Sequence, residues 1–222
     1  MRFPKLAIFD MDGLLINSEE VFMEQKGPVM ARYGFSQTRE EYIRTLGTSG
    51  ENLNRILLEL YGPDYPADAI TKETRANVNA FYDSCGVPVK KGIPELLSYL
   101  TGHGVHCCVA TSTAHMHAAS YLENGSILQY FDFIIGGDEI SRSKPDPEIF
   151  LKALEKSGTA SEDALIFEDS ENGIFASQRA GIPVICIPDM KYPCKEAADI
   201  AVTILADAGA AIPLLEAARL NR

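Results

Sequence analysis

The chain has 222 residues, of which 46% are hydrophobic and 23% are charged, and its formal net charge is -11 at pH 7. This length and composition fit a soluble protein with a full hydrophobic core, built as one domain with an insertion or as two modest domains. The negative charge, without any cluster of Lys and Arg, argues against a nucleic-acid partner. No apolar stretch approaches the length of a membrane span, so we expect no membrane partner.

The N-terminal stretch MRFPKLAIFD has an apolar run too short for the core of a signal peptide, which predicts a cytoplasmic protein. The five cysteines include no C-x-x-C pair, and the apolar runs around some of them are typical of reduced, buried thiols. His115 and His117 stand two residues apart and would point in different directions on a helix, so we expect no histidine metal site. We expect a monomer or a weak homodimer.

The first predicted strand, 6–9, is followed by a long region without a convincing strand. Its amphipathic patterns predict helices instead, at 19–33, 39–46, 51–61 and 67–83. A region of this length with its own helices is too long to be a loop. It predicts an all-helical domain over residues 15–86, inserted into a core formed by residues 1–14 and 87–222.

The later strands alternate with helical patterns. Short apolar runs predict strands at 106–110, 133–135, 164–167 and 184–187, with a weaker one at 201–203. Asp146 and Pro147 are expected to begin a helix that ends at Gly158. Because most of the strands are continuously hydrophobic, the pattern indicates an α/β fold, a Rossmann-like parallel sheet core flanked by helices.

Polar side chains follow four of these strands at the point where each strand ends or just beyond it. In chain order they are Asp10, Asp12, Thr111, Ser112, Lys144, Glu168 and Asp169. The carboxyl ends of parallel strands meet at one edge of a sheet, where ligands bind. Carboxylates crowded there would repel one another and raise their pKa values unless a cation is present.

Magnesium suits this set, because it takes one or two carboxylates, waters and a phosphate oxygen. An EF-hand calcium loop beginning at Asp10 fails in register, since its sixth position would be Leu15 instead of Gly and its twelfth Val21 instead of Glu. The sequence contains no G-x-x-x-x-G-K-[ST] and no G-x-G-x-x-G after the first strand, which argues against nucleotide binding by either route.

Four motifs in order resemble those of the haloacid dehalogenase-like (HAD) superfamily: D-M-D-G at 10–13, Thr111 after a strand, Lys144 in S-K-P-D-P, and E-D-S at 168–170. The resemblance is closest to the phosphatase and beta-phosphoglucomutase branch, which carries a helical cap after the first motif. It covers essentially the whole chain. It implies a hydrolase that removes phosphate from a small phosphorylated metabolite.

The resemblance also implies roles for single residues. Asp10 would attack phosphorus and form an aspartyl-phosphate, Asp12 would act as general acid and base, and Thr111 and Lys144 would complete the catalytic set. Mg²⁺ would be held by Asp10, the carbonyl of Asp12, Asp169 and Glu168. The residues expected to contact substrate are Gly13, Ser18, Gly50, Ser112 and Thr113. An acid at Asp12 favours phosphoryl transfer over dehalogenation, because a departing halide needs no proton.

Phosphatase and phosphomutase are distinguished in the predicted cap. Four residues after Ser18, where mutases of this branch carry His, stands Phe22, and Gly50 stands where they carry a phosphate-binding Arg. Thr48, Ser49, Gly50 and Asn52 are expected to form a polar loop. A phosphatase acting on a sugar phosphate or nucleoside monophosphate is therefore favoured, with a beta-phosphoglucomutase-like phosphomutase as the alternative. A catalytically idle binding protein on the same fold is a third hypothesis.

Overall fold

The structure, a computed structural model, describes residues 2–48 and 50–221. The chain divides into two compact units, Met1–Asn17 with Val87–Arg222, and Ser18–Gly86, and each is described by itself. The second unit begins three residues later than the predicted insertion, 15–86, and ends at the same residue.

The strands occur in the predicted order, and the helices predicted in the inserted region and after Asp146 are present among them. In chain order the strands and helices are β1 (Leu6–Phe9), α1 (Ser18–Arg32), α2 (Arg39–Thr45), α3 (Gly50–Tyr61), α4 (Ala67–Cys85), α5 (Ile93–Gly102), β2 (His106–Ala110), α6 (His115–Asn124), β3 (Phe133–Ile135), α7 (Glu148–Ser157), β4 (Ala164–Glu168), α8 (Glu171–Ala180), β5 (Val184–Cys186), α9 (Lys195–Ile200), β6 (Thr203–Ile204) and α10 (Ala211–Leu220). Short 3₁₀ turns link several of them.

The first unit is built on a six-stranded sheet in the order β3-β2-β1-β4-β5-β6, and every described pairing is parallel. This confirms the predicted Rossmann-like α/β core. The chain builds outward from β1 to β3 on one side and then from β4 to β6 on the other. The switch of direction lies between β1 and β4, and a crevice at such a point is where ligands bind in this architecture.

Three strands differ from the prediction by one or two residues at their ends. β4 continues to Glu168 and β5 stops at Cys186, while β6 occupies Thr203–Ile204. The reason for the last shift is register, because Thr203 and Ile204 are the residues that lie opposite Ile185 and Cys186 of β5.

The start of α7 also differs from the prediction. Pro147 stands at the N-cap position and the helix begins at Glu148. Asp146 still serves the helix start, because its Oδ1 accepts a hydrogen bond from the Glu148 backbone N–H at 3.0 Å. Gly158 ends the helix as predicted, with a left-handed φ of 67° that suits glycine.

The core of the first unit lies between the sheet and its helices. The four residues of β1 and the five of β4 are all buried, and the rings of Phe9 and Phe167 stack with centroids 4.7 Å apart. Ile149 and Phe150 of α7 pack in a core cluster with Leu6 and Ile8 of β1 and Ile166 of β4. Burying each such side chain contributes roughly 1.5–3 kcal/mol, so strands that are buried on both faces hold the sheet edge rigidly in place.

The second unit is all helical over its described residues. One cluster of its core consists of Val29 and Met30 of α1 with Ile70 of α4, surrounded by partly buried aromatic rings, and Val21, Val78 and Tyr82 are buried as well. Thr38 forms a capping box at the start of α2. Its hydroxyl oxygen accepts a hydrogen bond from the backbone N–H of Glu41, and the Glu41 carboxylate accepts one from the backbone N–H of Thr38. Across the described chain, every helix is too short or too polar to cross a lipid bilayer.

Candidate active site

Lys144 lies at the centre of a buried ion cluster. Its Nζ lies 2.5 Å from Asp10 Oδ1 and 2.7 Å from Glu168 Oε1, and it donates to the carbonyl oxygen of Ala110 at 3.1 Å. The Lys144 side chain is 6% exposed and that of Glu168 is not exposed at all. Residues from the ends of β1, β2 and β4 thus converge on one ammonium group, as the parallel sheet predicts.

Glu168 is fully engaged by its own neighbours. Its second oxygen, Oε2, accepts hydrogen bonds from the backbone N–H groups of Asp169 and Ser170 and from the Ser170 hydroxyl, each at 3.0 Å. Gly173 lets α8 approach closely, because a β-carbon there would lie 1.8 Å from the Glu168 carboxyl group. Glu168 is therefore placed to hold Lys144, and the geometry favours Asp169 over Glu168 as a metal ligand.

Asp12 is held by hydroxyl groups from the loop after β2. Thr113 Oγ1 donates to Asp12 Oδ2 at 2.7 Å, and Thr111 Oγ1 lies 3.4 Å from the same oxygen. Thr111 is buried, and its oxygen also accepts from the backbone N–H of Thr113 at 3.1 Å. The two first aspartates of the site therefore have different partners, a lysine for Asp10 and threonine hydroxyls for Asp12.

Gly13 lies against two further carboxylates. A β-carbon on Gly13 would lie 2.5 Å from Asp169 Oδ2 and 3.3 Å from Asp189 Oδ2, and the φ of Gly13 is +80°. Any other residue would therefore meet both a strained backbone and a clash. Asp189 Oδ1 forms an ion pair with Lys90, whereas Asp189 Oδ2 is buried with no hydrogen-bond partner among the described residues.

The crowded carboxylates shift one another's protonation. Burial raises the pKa of Asp10 to about 7 despite the opposing effect of Lys144. Burial also raises the pKa of Asp169 well above its usual value, and the charges of Glu168, Asp10 and Asp189 raise it further. For Lys144, burial lowers the pKa but the carboxylates of Asp10 and Glu168 outweigh it, so the pKa lies above its ordinary range.

These features fit a hard divalent cation. The carboxylates of the site outnumber its two lysines, since Asp10, Glu168, Asp169 and Asp189 face Lys144 and Lys90. One buried oxygen, Asp189 Oδ2, has no partner among the described residues. Oxygen donors are what Mg²⁺ takes. Within the described residues, no group of three or more His, Cys, Asp or Glu side chains already has the close spacing of a formed metal site.

Most of the predicted site residues come together in the first unit. Those that lie around the ion cluster or Asp12 are Asp10, Asp12, Gly13, Thr111, Thr113, Lys144, Glu168 and Asp169. Ser112, in the same loop, is exposed.

The other two predicted contacts lie in the second unit. Ser18 begins α1, and its hydroxyl is buried without a hydrogen-bond partner among the described residues. Gly50 begins α3. The polar loop predicted at 48–52 is therefore wrong for Gly50 and Asn52, which belong to the first turn of that helix, where Glu51 favours a helix start through the helix dipole. Ser49 lies outside the described residues.

Several residues of the site are absent from the sequence prediction. Gly173 lies against Glu168 and Asp189 lies against Gly13, and Lys90 joins them through its ion pair with Asp189. The glycine had a detectable signal, because it follows E-D-S by a few residues at the start of a predicted helix. Lys90 and Asp189 had none, since a Lys-Lys pair before a helix and an Asp after Pro are ordinary in loops.

Comparison with known proteins agrees with this geometry. The family model of haloacid dehalogenase-like hydrolases matches residues 7–187. A phosphorylated carbohydrates phosphatase of Thermotoga maritima is 30% identical over 176 residues, which are 79% of this chain and 81% of that protein.

Two solved structures are similar over nearly the whole chain. A Thermotoga maritima protein provisionally named a beta-phosphoglucomutase has a TM-score of 0.78 and 26% identity, covering 96% of this chain and 99% of that one. CbbY from Rhodobacter sphaeroides, solved in complex with phosphate, has a TM-score of 0.76 and 26% identity, covering 94% and 96%.

The chain belongs to the haloacid dehalogenase-like hydrolases. The predicted membership is confirmed, and so is the predicted enzyme class, a phosphoric monoester hydrolase, by the family together with its named phosphatases.

Proposed function

We propose that this protein is a Mg²⁺-dependent phosphatase that hydrolyses a small phosphorylated metabolite through an aspartyl-phosphate on Asp10. The observation that carries the proposal is that two neighbouring aspartates have different binding partners. Asp10 is bound by the buried cation of Lys144, and Asp12 is bound by the hydroxyls of Thr113 and Thr111. One is suited to attack as a carboxylate, and the other to exchange a proton.

In the first step, the free oxygen of Asp10 attacks the phosphorus atom and the bond to the substrate oxygen breaks. Lys144 holds Asp10 Oδ1, which leaves Oδ2 as the attacking atom. Protonated Asp12 gives its proton to the leaving oxygen, so the product departs as an alcohol. Lys144 also offsets negative charge on the transferring group.

In the second step, water replaces the alcohol. Asp12, now a carboxylate, takes a proton from that water as the water attacks phosphorus, and the bond from phosphorus to Asp10 breaks. Inorganic phosphate leaves, and both aspartates return to their starting states. Thr113 keeps Asp12 oriented through both transfers, because its hydroxyl can donate to the carboxylate.

Asp10, Asp169 and the backbone carbonyl of Asp12 are the groups proposed to hold Mg²⁺. When bound, Mg²⁺ supplies positive charge that favours ionised carboxylates and stabilises the transferring phosphoryl group. Such a charge would offset the repulsion that raises the pKa values of Asp10 and Asp169. Glu168 is proposed to act through Lys144 instead.

The substrate class we propose is a sugar phosphate or a nucleoside monophosphate. The relative named a phosphorylated carbohydrates phosphatase supports the first of these. We also propose a cytoplasmic location and a monomeric or weakly dimeric state.

A phosphomutase is the second candidate, because one similar structure is provisionally named a beta-phosphoglucomutase. The presence of Phe22 and Gly50, in place of the His and Arg that mutases of this branch carry, supports the phosphatase. With beta-glucose 1-phosphate as substrate, free phosphate would support the phosphatase, and accumulation of glucose 6-phosphate would support the mutase.

The decisive experiment measures phosphate release from p-nitrophenyl phosphate with and without Mg²⁺. We expect metal-dependent turnover in the wild type and a loss of about 10⁴-fold or more in Asp10→Asn. Asp163→Asn is the matched control, since Asp163 forms an ion pair with Lys5 before β4 and should leave turnover unchanged. Equal rates in the wild type and Asp10→Asn would identify an idle fold and overturn the proposal.

A further inference from the structure

Asp189, in the loop after β5, presents one carboxylate oxygen to the site without an evident partner. Its Oδ1 is paired with Lys90, and the side chain is only 11% exposed. Its Oδ2 is buried and has no hydrogen-bond partner among the described residues. Leaving such an acceptor unsatisfied costs about 1–3 kcal/mol, so a group that binds this oxygen would stabilise the protein.

The buried oxygen faces the carboxylate of Asp169 across Gly13. Both Asp189 Oδ2 and Asp169 Oδ2 approach the point that a Gly13 β-carbon would occupy, at 3.3 and 2.5 Å. The two oxygens therefore lie within about 6 Å of each other, and two carboxylate charges this close repel each other. Their arrangement is explained if a positively polarised group lies near both of them.

Hydrogen bonds and an ion pair hold both the loop that carries Asp189 and the lysine that pairs with it. Glu171, in the first turn of α8, accepts a hydrogen bond from the backbone N–H of Cys194 at 2.9 Å and pairs with Lys191 at 3.4 Å. Lys90 is fixed as well, because its backbone N–H donates to the carbonyl of Leu15, in the turn after Asp12, at 2.9 Å. The position of Asp189 is therefore determined by packing on two sides.

We propose that Asp189 is a positioning residue for the divalent cation, and that its Oδ2 accepts a hydrogen bond from a water molecule bound to that cation. Lys90 orients the carboxylate by binding Oδ1. The inference rests on the proposed function, because it takes Asp10 and Asp169 as the direct ligands. Mg²⁺ usually takes only one or two carboxylates and keeps several waters, so a third carboxylate is best placed against one of those waters.

Outer carboxylates of this kind tune metal affinity, and their loss typically weakens binding 10- to 100-fold. The test is calorimetric titration of Mg²⁺ into metal-free wild type, Asp189→Asn and Asp189→Ala. We expect the Kd for Mg²⁺ to rise about tenfold in the Asn variant and up to about 100-fold in the Ala variant. Asp163→Asn is the control, because it also removes the charge of an aspartate that is paired with a lysine, but that lysine is Lys5. This variant should keep the wild-type Kd.

Kinetics supply a second readout. The Mg²⁺ concentration for half-maximal phosphate release should rise by the same factor as Kd, while kcat at saturating Mg²⁺ stays within a few-fold of wild type. A purely structural role would instead lower the thermal midpoint of the metal-free variants and leave their Mg²⁺ affinity unchanged. The Asn variant preserves the size of the side chain, so it keeps the test valid if the Ala variant fails to fold.

The outcomes separate this inference from the proposed function. Wild-type Mg²⁺ affinity in both Asp189 variants, with metal-dependent turnover intact, would overturn the role of Asp189 alone. Absence of Mg²⁺ binding and of metal-dependent turnover in the wild type would overturn the proposed function and the inference with it.

Discussion

The hydroxyl of Thr113 lies 2.7 Å from Oδ2 of Asp12, a distance that fits a hydrogen bond to a carboxylate. The contact joins the loop after β2 to the turn after β1 at the residue proposed as general acid and base. Asp12 therefore cannot turn away from the leaving oxygen without losing this bond. A carboxylate that must give and take a proton in one cycle benefits from being fixed in this way.

Replacing Thr113 by Val should lower kcat about 10- to 100-fold. A hydrogen bond to a charged group is worth about 1.5–3 kcal/mol, and each 1.36 kcal/mol corresponds to a tenfold change in rate. Steady-state assays with p-nitrophenyl phosphate would measure the change. Thr113→Ser keeps the hydroxyl and should stay within a few-fold of wild type, so equal losses in both variants would contradict the role assigned to the hydrogen bond.

Replacing Lys144 by Met should inactivate the enzyme and destabilise the fold by about 3–5 kcal/mol, because it leaves buried carboxylates without their cation. Denaturant unfolding would measure the loss. Lys152→Met is the control, since Lys152 is 39% exposed and forms a surface pair worth at most about 1 kcal/mol.

The instability of Lys144→Met should depend on pH. Burial already raises the pKa of Asp10 to about 7, above the value of an exposed carboxyl, and removing the lysine that opposes this shift would raise it further. A carboxyl with a raised pKa destabilises the folded state at high pH and stops doing so once it is protonated. The difference in unfolding free energy from wild type should therefore narrow as the pH falls through the raised pKa of the variant towards 7, the pKa of Asp10 in the wild type. A gap that widens over this range would contradict this account.

Replacing Gly173 by Ala should destabilise the protein by about 1–3 kcal/mol or more. The new β-carbon would lie 1.8 Å from a Glu168 carboxyl group that its hydrogen bonds hold in place. Thermal unfolding would measure the effect. Gly102→Ala is the matched control, because Gly102 is also helical but has nothing within 4 Å of its β-carbon position. That change should be neutral or slightly stabilising, and a Gly173→Ala variant as stable as the control would show that Glu168 is free to move.

Lys26 of α1 makes the stability of the second unit depend on pH. Its side chain lies over the ring of Tyr42, with Nζ 5.7 Å from the centroid, and burial lowers its pKa to about 8. In the unfolded chain Lys26 stays protonated up to about pH 10.5. Between pH 8 and 10.5 the unfolded state therefore binds more protons than the folded state. The contribution of Lys26 to stability therefore rises with pH across that window.

Replacing Lys26 by Met should stabilise the protein at pH 7 by roughly 1–3 kcal/mol, because the variant no longer buries a charge. The advantage over wild type should shrink as the pH rises from 8 towards 10.5. Denaturant unfolding of both proteins across this range would measure it. A constant difference would show that the ammonium group is solvated in the folded state.

The sequence by itself determined the layers of the fold and most of the candidate site. The strands at 6–9, 106–110 and 133–135 have the predicted bounds, because continuous apolar runs are required where a sheet is covered on both faces. Parallel strands end at a common edge, so the motif order alone was enough to bring Lys144 to Asp10 across 134 residues of chain.

Only the tertiary structure decided which partner each carboxylate binds. The pairing of Lys90 with Asp189, 99 residues apart, depends on how two loops pack beside Gly13, and loop packing leaves no periodic pattern in a sequence. The same holds for Glu168, whose oxygens are taken by Lys144 and by backbone N–H groups. Residue type states what a side chain can bind, whereas only its neighbours in space decide which partner it finds.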